Sequence, residues 1–349
     1  MTIDFEFDVV YPATDVARTA AIRQLLAVCQ LDMDADIEVF VAAYDRKRLI
    51  ACAGLSSNVI KCVATDPDYR GESITLQLVS EIVALAAERG HFHLFLYARP
   101  CNEPFFRGCG FYPLVQIPET IVLLENTPVG VSDYCGRLSR TRQSGSKTGC
   151  IVMNANPFTK GHEYLVRRAL QECDWLHVFV VSEDVSLFRY GDRFRLVSRG
   201  LAGLDRLTIH HGSDYMVSRA TFPSYFLKDR GIVDHCRTAI DLLLFRQYIA
   251  PALGITHRFV GTEPFCAVTN RYNEDMKHWL SCEEAPGASV EVVEVTREAR
   301  SGIPVSASAV RRLLSRGDFG RIRPLVPECT YSFLLKMAPE PGHSLHMHG

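Results

Sequence analysis

The sequence predicts an α/β chain in two parts: a first half in which strands and helices mix, and a second half built as a doubly wound parallel sheet. Three observations predict it. A length of 349 residues suits two domains, each able to bury its own core. The stretch from Asn126 to Gly149, NTPVGVSDYCGRLSRTRQSGSKTG, is rich in Ser, Thr, Gly and Arg without sustained periodicity, as a linker is. Charge also changes across it: residues 1–125 hold 10 Lys and Arg against 17 Asp and Glu, so −7, and a chain of net charge −2 leaves +5 for the remainder. The expected parts are therefore a domain over 1–125, a linker over 126–148, a second domain over 149–337, and a tail over 338–349. The tail's APEPGHSLHMHG has no core-forming pattern and reads as disordered.

Taken in order, the first half begins with a strand at 4–10 and a helix from about Asp15 to Cys29, followed by strands in DIEVFVAAYD and RLIACAGLSS. KCVATDPDYRGESITLQLVSEIVALAAERG reads as a strand, a turn and a long helix, and FHLFLYA as a further strand. In the second half the apolar runs CIVM, LHVFVV, RLTIH, HRFVG and SVEVVEV alternate with helical stretches such as DRFRLVSRGLAGL and AIDLLLFRQYIAPAL. Five short strands separated by helices predict a parallel sheet, with ligands at the carboxyl ends of its strands.

Composition excludes several classes. A net charge of −2 with 22% charged residues argues against a nucleic-acid partner, and no apolar run approaches the ~20 residues of a membrane helix. The acidic, alternating start MTIDFEFDVVYP is unlike a signal peptide, so a cytoplasmic protein is expected. Twelve cysteines are scattered without a CxxC pair, and Cys52, Cys62 and Cys173 fall inside apolar segments, which suits small buried hydrophobes in a reducing compartment. No metal site is expected, His343, His346 and His348 of the tail included.

The chemistry gathers in residues 151–170, IVMNANPFTKGHEYLVRRAL. Ile151, Val152 and Met153 suit a buried strand, while Tyr164, Leu165, Ala169 and Leu170 recur at helical intervals. The polar cluster between them sits at a helix N-terminus, where unpaired N–H groups and the helix dipole favour phosphate. Taken without further context, Thr159 is an N-cap, Lys160 an exposed cation and His162 a capping side chain.

NPFTKGH is similar to the Thr/His-x-Gly-His signature of the nucleotidyltransferase superfamily. That resemblance implies that Thr159 and His162 contact a triphosphate, that Gly161 allows close backbone approach, and that Lys160 adds a phosphate contact; Asn154, Asn156, Pro157 and Phe158 complete the ATP loop. IPVSASAVRRLL resembles the late Ile-Ser-x-Thr-x-x-Arg signature, with Val305, Ser306, Ser308 and Arg311 in the matching places and Val310 beside them. It implies a second helix start facing the same phosphates, with Arg311 on the departing pyrophosphate. In the first half, the mixed α/β order followed by PFFRGCGFYP resembles the GNAT acyltransferase domain: Phe105, Phe106, Gly110 and Phe111 fit its late pattern. Arg70 and Gly71 would open the family's acyl-CoA loop, in which Ser73 and Thr75 stand where small residues are usual.

The joint pattern, including GSDYMVSRATFPSYFLKD and FVGTEPFCAVTNRYNEDM, resembles the citrate lyase ligase family over residues 1 to about 335. That family joins a GNAT-like domain to a Rossmann-like nucleotidyltransferase domain. It implies an acid–thiol ligase that uses ATP, with Mg2+ accompanying the triphosphate, and acetate to acetylate the thiol form of citrate lyase. The acceptor is a phosphoribosyl-dephospho-coenzyme A group on the acyl carrier subunit, and acetyl-adenylate is the intermediate. Arg189, Arg193, Thr262, Glu263 and Tyr272 are further candidates for adenine, acetate or carrier. Two other readings stay open on the residues. One is a cofactor-building enzyme of the pantetheine-phosphate or nicotinamide adenylyltransferase type, and the other is a binding protein that pairs a degenerate GNAT sensor with a nucleotide scaffold.

Overall fold

The computed structural model describes residues 5–70, 74–182, 186–216, 222, 230–262, 267–297, 299–300 and 303–337. In chain order its elements begin with β1 (Glu6–Val10), α1 (Val16–Val28), β2 (Val39–Asp45), β3 (Arg48–Ser56), β4 (Val59–Thr65), α2 (Ile74–Glu88) and β5 (Phe95–Ala98). There follow α3 (Glu103–Gly108), β6 (Tyr112–Ile117), β7 (Ile121–Glu125) and α4 (Gly130–Ser139). The next are β8 (Thr148–Met153), α5 (Lys160–Glu172), β9 (Trp175–Val180), α6 (Tyr190–Gly200), β10 (Leu207–His211), α7 (Arg230–Leu244) and α8 (Ala250–Leu253). Last come β11 (His257–Gly261), α9 (Ala267–Ser281), β12 (Glu291–Val295), the two-residue strands β13 (Ala299–Arg300) and β14 (Ile303–Pro304), and the helices α10 (Ala307–Leu314), α11 (Phe319–Ile322) and α12 (Glu328–Met337). Contacts divide the chain into two units, Met1–Tyr134 with Val217–Leu244, and Cys135–Met216 with Phe245–Gly349.

The first unit holds a mixed sheet in the order β1-β2-β3-β4-β5-β7-β6, in which β4 and β5 alone run parallel. Helix α2 covers it with a stripe of Ile74, Leu78, Ile82 and Ala86, spaced by four so that one face is apolar. They pack on Ile50, Leu96, Phe111 and Val122. The β4/β5 ladder is short, pairing Val59 with Phe95 and Ile60 with Leu96. Beyond it lies a cleft of about 590 Å3, lined by Val63, Thr65, Tyr97, Arg70 and Arg99 among others. The β6–β7 hairpin has no counterpart in the expectations above.

The second unit holds the expected parallel sheet, in the order β10-β9-β8-β11-β12. Ile151, Val178 and Phe259 pack against Val166, Ala169 and Val197 from the helices over one face. Cys52, Cys62, Cys150 and Cys173 are buried, and the described cysteines are all free thiols.

Two features differ from the expected division. The stretch expected as linker contains α4, a ten-residue helix. Helix α7, expected within the second half, packs along β6, the edge strand of the first unit's sheet. An apolar helix face must be covered, and chain position does not say by which sheet. The tail over 338–349 lies outside the described residues.

Candidate active site

The strand order reverses direction at β8, where a doubly wound sheet opens its ligand crevice. The ladder there supports that position. β11 pairs with β8 only through His257 with Gly149 and Arg258 with Cys150, so toward their carboxyl ends the two strands are no longer bonded to each other. From that end of β8 the chain runs through Asn154 and Ala155 to a cis peptide between Asn156 and Pro157, then enters α5.

Thr159 is the N-cap of α5, with extended backbone, and His162 is its third helical residue. The two form a capping box in which histidine takes the usual place of Glu or Gln. The Thr159 N–H donates to His162 Nδ1 at 3.0 Å, while Thr159 Oγ1 accepts the His162 N–H at 3.4 Å and lies 2.9 Å from Nδ1. An Nδ1 that accepts a backbone N–H carries no proton, so the ring is the neutral tautomer with its proton on Nε2. Burial, and then the positive charge of Arg297, push the His162 pKa down to about 4. At neutral pH His162 is therefore a fixed N–H donor, not a cation. Its ring is stacked at 5.8 Å on Phe158, which is fully buried.

The second motif lies against the first. Ser306 is the N-cap of α10, accepting the Ala309 N–H at 3.1 Å. Arg311 donates from Nη1 to the Asn156 carbonyl at 2.6 Å and from Nη2 to Ser308 Oγ at 3.1 Å. A Cβ added to Gly161 would stand 2.7 Å from the Val305 carbonyl. Glycine is thus required there to let the two helix starts meet, one from each end of the unit's sequence. Val305 and Val310 are buried in the apolar cluster with Leu314 and Ile322. The Val310 side chain is therefore a core group.

The remaining candidates divide. Arg193 is fully buried. Its Nη1 donates to the carbonyls of Asn154 and Val181, both at 2.8 Å, and to Asn154 Oδ1 at 2.7 Å, while Nε donates to the Phe188 carbonyl at 3.1 Å. It holds the phosphate-type loop in shape from within the protein. Asn156 Oδ1 accepts the Phe188 N–H at 3.2 Å and does the same from the loop side. Lys160 is half-buried at the first turn of α5, and Ser308 and Arg189 are exposed. Thr262 follows β11, its hydroxyl accepting the Arg297 N–H at 3.3 Å. Tyr272 is half-buried on α9. Glu263 lies outside the described residues.

Arg297 is the residue that sequence reasoning missed. It stands two positions past β12 at the carboxyl edge, and its charge acts on His162. The available signal was an arginine two positions after the last parallel strand, in VVEVTREAR.

In the first unit Arg70 lines the cleft beside β4 and β5, together with Thr75, whose hydroxyl lies 2.9 Å from that of Thr65. Phe106 and Phe111 are core residues, and Gly110 takes a left-handed turn at φ 85°. Gly71 and Ser73 lie outside the described residues.

Fold and edge together define a class: a GNAT-like mixed-sheet unit joined to a nucleotidyltransferase-type parallel α/β unit in which the starts of α5 and α10 converge. Residues 148–334 match the family described as citrate lyase ligase C-terminal domain, and residues 7–111 match the acetyltransferase (GNAT) family. The citrate (pro-3S)-lyase ligase of Escherichia coli K12 is 49% identical over 317 residues, 91% of this chain and 90% of that protein. The Klebsiella pneumoniae protein of the same name is 49% identical over 93% of this chain and 94% of its own length. That of Haemophilus influenzae is 44% identical over 93% and 97%. Among solved structures, Escherichia coli ElaA aligns with 36% of this chain and 100% of its own, with 21% identity and a TM-score of 0.32. The chain belongs to the citrate lyase ligase family.

Proposed function

We propose that the protein acetylates the thiol of the citrate lyase prosthetic group at the expense of ATP, through acetyl-adenylate, and so activates citrate lyase. Membership in the ligase family supports ATP use and citrate lyase as the partner. The observation that carries the reading is the bridge from Arg311 to the Asn156 carbonyl, which brings the late motif onto the early loop where one triphosphate can meet both. An acetate oxygen attacks the α-phosphorus and pyrophosphate leaves toward α10. The thiol then attacks the acetyl carbonyl, the thioester forms and AMP departs. His162 donates its Nε2 proton in a hydrogen bond to the charge that builds on the phosphoryl oxygens, and the first turns of α5 and α10 add their N–H groups.

Magnesium enters as part of the substrate, bound to the triphosphate with its remaining waters. Among the described residues no group of three or more His, Cys, Asp or Glu side chains converges to hold an ion. The acceptor is the phosphoribosyl-dephospho-coenzyme A arm of the acyl carrier subunit, and the setting is cytoplasmic. No helix among the described residues is long and apolar enough to cross a membrane. The GNAT-like unit performs no acetyl transfer of its own on this reading, since Thr75 brings a side chain to a position where its family keeps small residues.

The test is exchange of labelled pyrophosphate into ATP. It requires acetate and magnesium on this proposal. Exchange that ignores acetate and needs a phosphate-ester acceptor places the protein with the cofactor-building transferases instead.

A further inference from the structure

We propose that Arg297 is a substrate-contacting residue whose guanidinium supplies positive charge to the polyphosphate of the nucleotide, beside a His162 that acts as a neutral donor. This rests on the ATP-using reading above and adds to it a residue that neither signature contains.

Position is the first argument. Gly261 and Val295, the last residues of β11 and β12, are register partners, so the two strands end level at the carboxyl edge. Two residues on, the Arg297 backbone N–H is tied to Thr262 Oγ1 at 3.3 Å. Its Cγ and Nε lie 3.7 and 3.8 Å from where a Cβ on Gly261 would stand, so the side chain folds back over the end of β11. That strand adjoins β8, from which the phosphate-type loop leaves, and the Arg297 charge is felt at His162.

Charge balance is the second. A triphosphate brings several negative charges, and transition-state stabilisation needs donors and cations aimed at its oxygens. His162 cannot be such a cation, because its Nδ1 accepts the Thr159 N–H. Arg193 is fully buried and donates to three backbone carbonyls of its own unit. Arg311 is half-buried and divides its N–H groups between Asn156 and Ser308. Arg297 and Lys160 stand on two sides of that edge, one after β12 and one at the start of α5, and each carries a positive charge. A guanidinium also offers paired N–H groups that match phosphate oxygens.

The experiment uses the full chain with Arg297→Ala, Arg297→Gln and Arg297→Lys, and His162→Ala as reference. Acetate-dependent pyrophosphate exchange is followed at varied ATP and varied acetate, and the His162 imidazole is titrated by NMR, its signal assigned by its loss in His162→Ala. Exchange is expected to fall roughly a hundredfold in Arg297→Ala, with the KM for ATP raised, the KM for acetate unchanged, and partial recovery in Arg297→Lys. Removing a positive charge also favours the imidazolium, so the His162 pKa should move up from about 4 toward the ordinary 6.5. Arg297→Gln keeps the Cβ–Cγ–Cδ stem and a polar, uncharged end, and is read wherever the alanine variant does not fold. Wild-type exchange in Arg297→Ala together with its loss in His162→Ala overturns the role of Arg297 and leaves the ATP site standing. Wild-type exchange in both variants overturns the site itself. A raised KM for acetate with an unchanged KM for ATP assigns Arg297 to the carboxylate and overturns the phosphate role. A lowered melting temperature in Arg297→Gln with the His162 pKa still near 4 makes the residue structural and overturns the proposal.

Discussion

At the scale of single residues, the informative fact about His162 is which of its nitrogens is occupied. Nδ1 closes the cap of α5, so the ring cannot turn or take a second proton without breaking the bond from the Thr159 N–H. His162→Ala removes both that cap and the Nε2 donor. We expect turnover to fall roughly a hundredfold, about 3 kcal/mol of transition-state stabilisation, with ATP affinity less affected. Because burial and Arg297 hold the pKa down to about 4, protonation of His162 should not limit pyrophosphate exchange between pH 8 and about 5. A rate that already falls through pH 6.5, and does so only while His162 is present, would show an ordinary imidazole and contradict the neutral-donor assignment. Thr159, Gly161, His162 and Arg311 were legible in the sequence because each belongs to a local signature. Arg297 was not, since its relation to His162 exists only once β12 lies in the same sheet as β8.

At the scale of elements, two helix starts and two neighbouring strands make separate predictions. Gly161→Ala places a methyl 2.7 Å from the Val305 carbonyl, where backbone must move to relieve it. Pushing α10 away from α5 should cost about 1–3 kcal/mol of stability and lengthen the reach of Arg311 to Asn156. Exchange by this variant should therefore fall with a raised KM for ATP, and unchanged kinetics and melting would show that the two starts do not depend on each other. On β9 and β10, His177 Nδ1 and His210 Nε2 lie 2.8 Å apart, and burial pushes both pKa values down to about 4. The unfolded chain, with ordinary values near 6.5, binds more protons between those limits, so stability is full above pH 6.5 and declines as pH falls toward 4. Urea unfolding at pH 7, 5.5 and 4.5 should show that slope, shallower in a His177→Gln, His210→Gln double variant. An unchanged slope would remove the pair from the acid response. The strands were legible because parallel strands buried on both faces read as continuous apolar runs. Helix α4 was not, because GVSDYCGRLS has the composition of a loop, and the β6–β7 hairpin lay beyond the motif that drew attention to its neighbourhood.

At the scale of the whole molecule, the division of the chain is not a single cut. Helix α7 belongs by sequence to the second half and packs along β6 of the first unit. A protein made from residues 149–349 would keep α7 without the strand it covers. We expect that fragment to melt lower than the intact chain or to fail to fold, and a fragment as stable as the intact protein would contradict the packing. Apolar periodicity reported α7 as a helix with a face to bury, but the partner of that face is a tertiary fact. The +5 balance of residues 126–349 remains a property of that stretch of chain, and an anionic carrier arm would associate with it less readily as salt rises. The central claim is the reaction itself, and its most direct measurement supplies deacetylated citrate lyase with labelled acetate, ATP and magnesium. The account predicts label on the prosthetic thiol, one AMP and one pyrophosphate per acetyl group, and restored lyase activity, all slowed roughly a hundredfold in His162→Ala. Labelling that proceeds without ATP, or with acetyl-coenzyme A in its place, would contradict it.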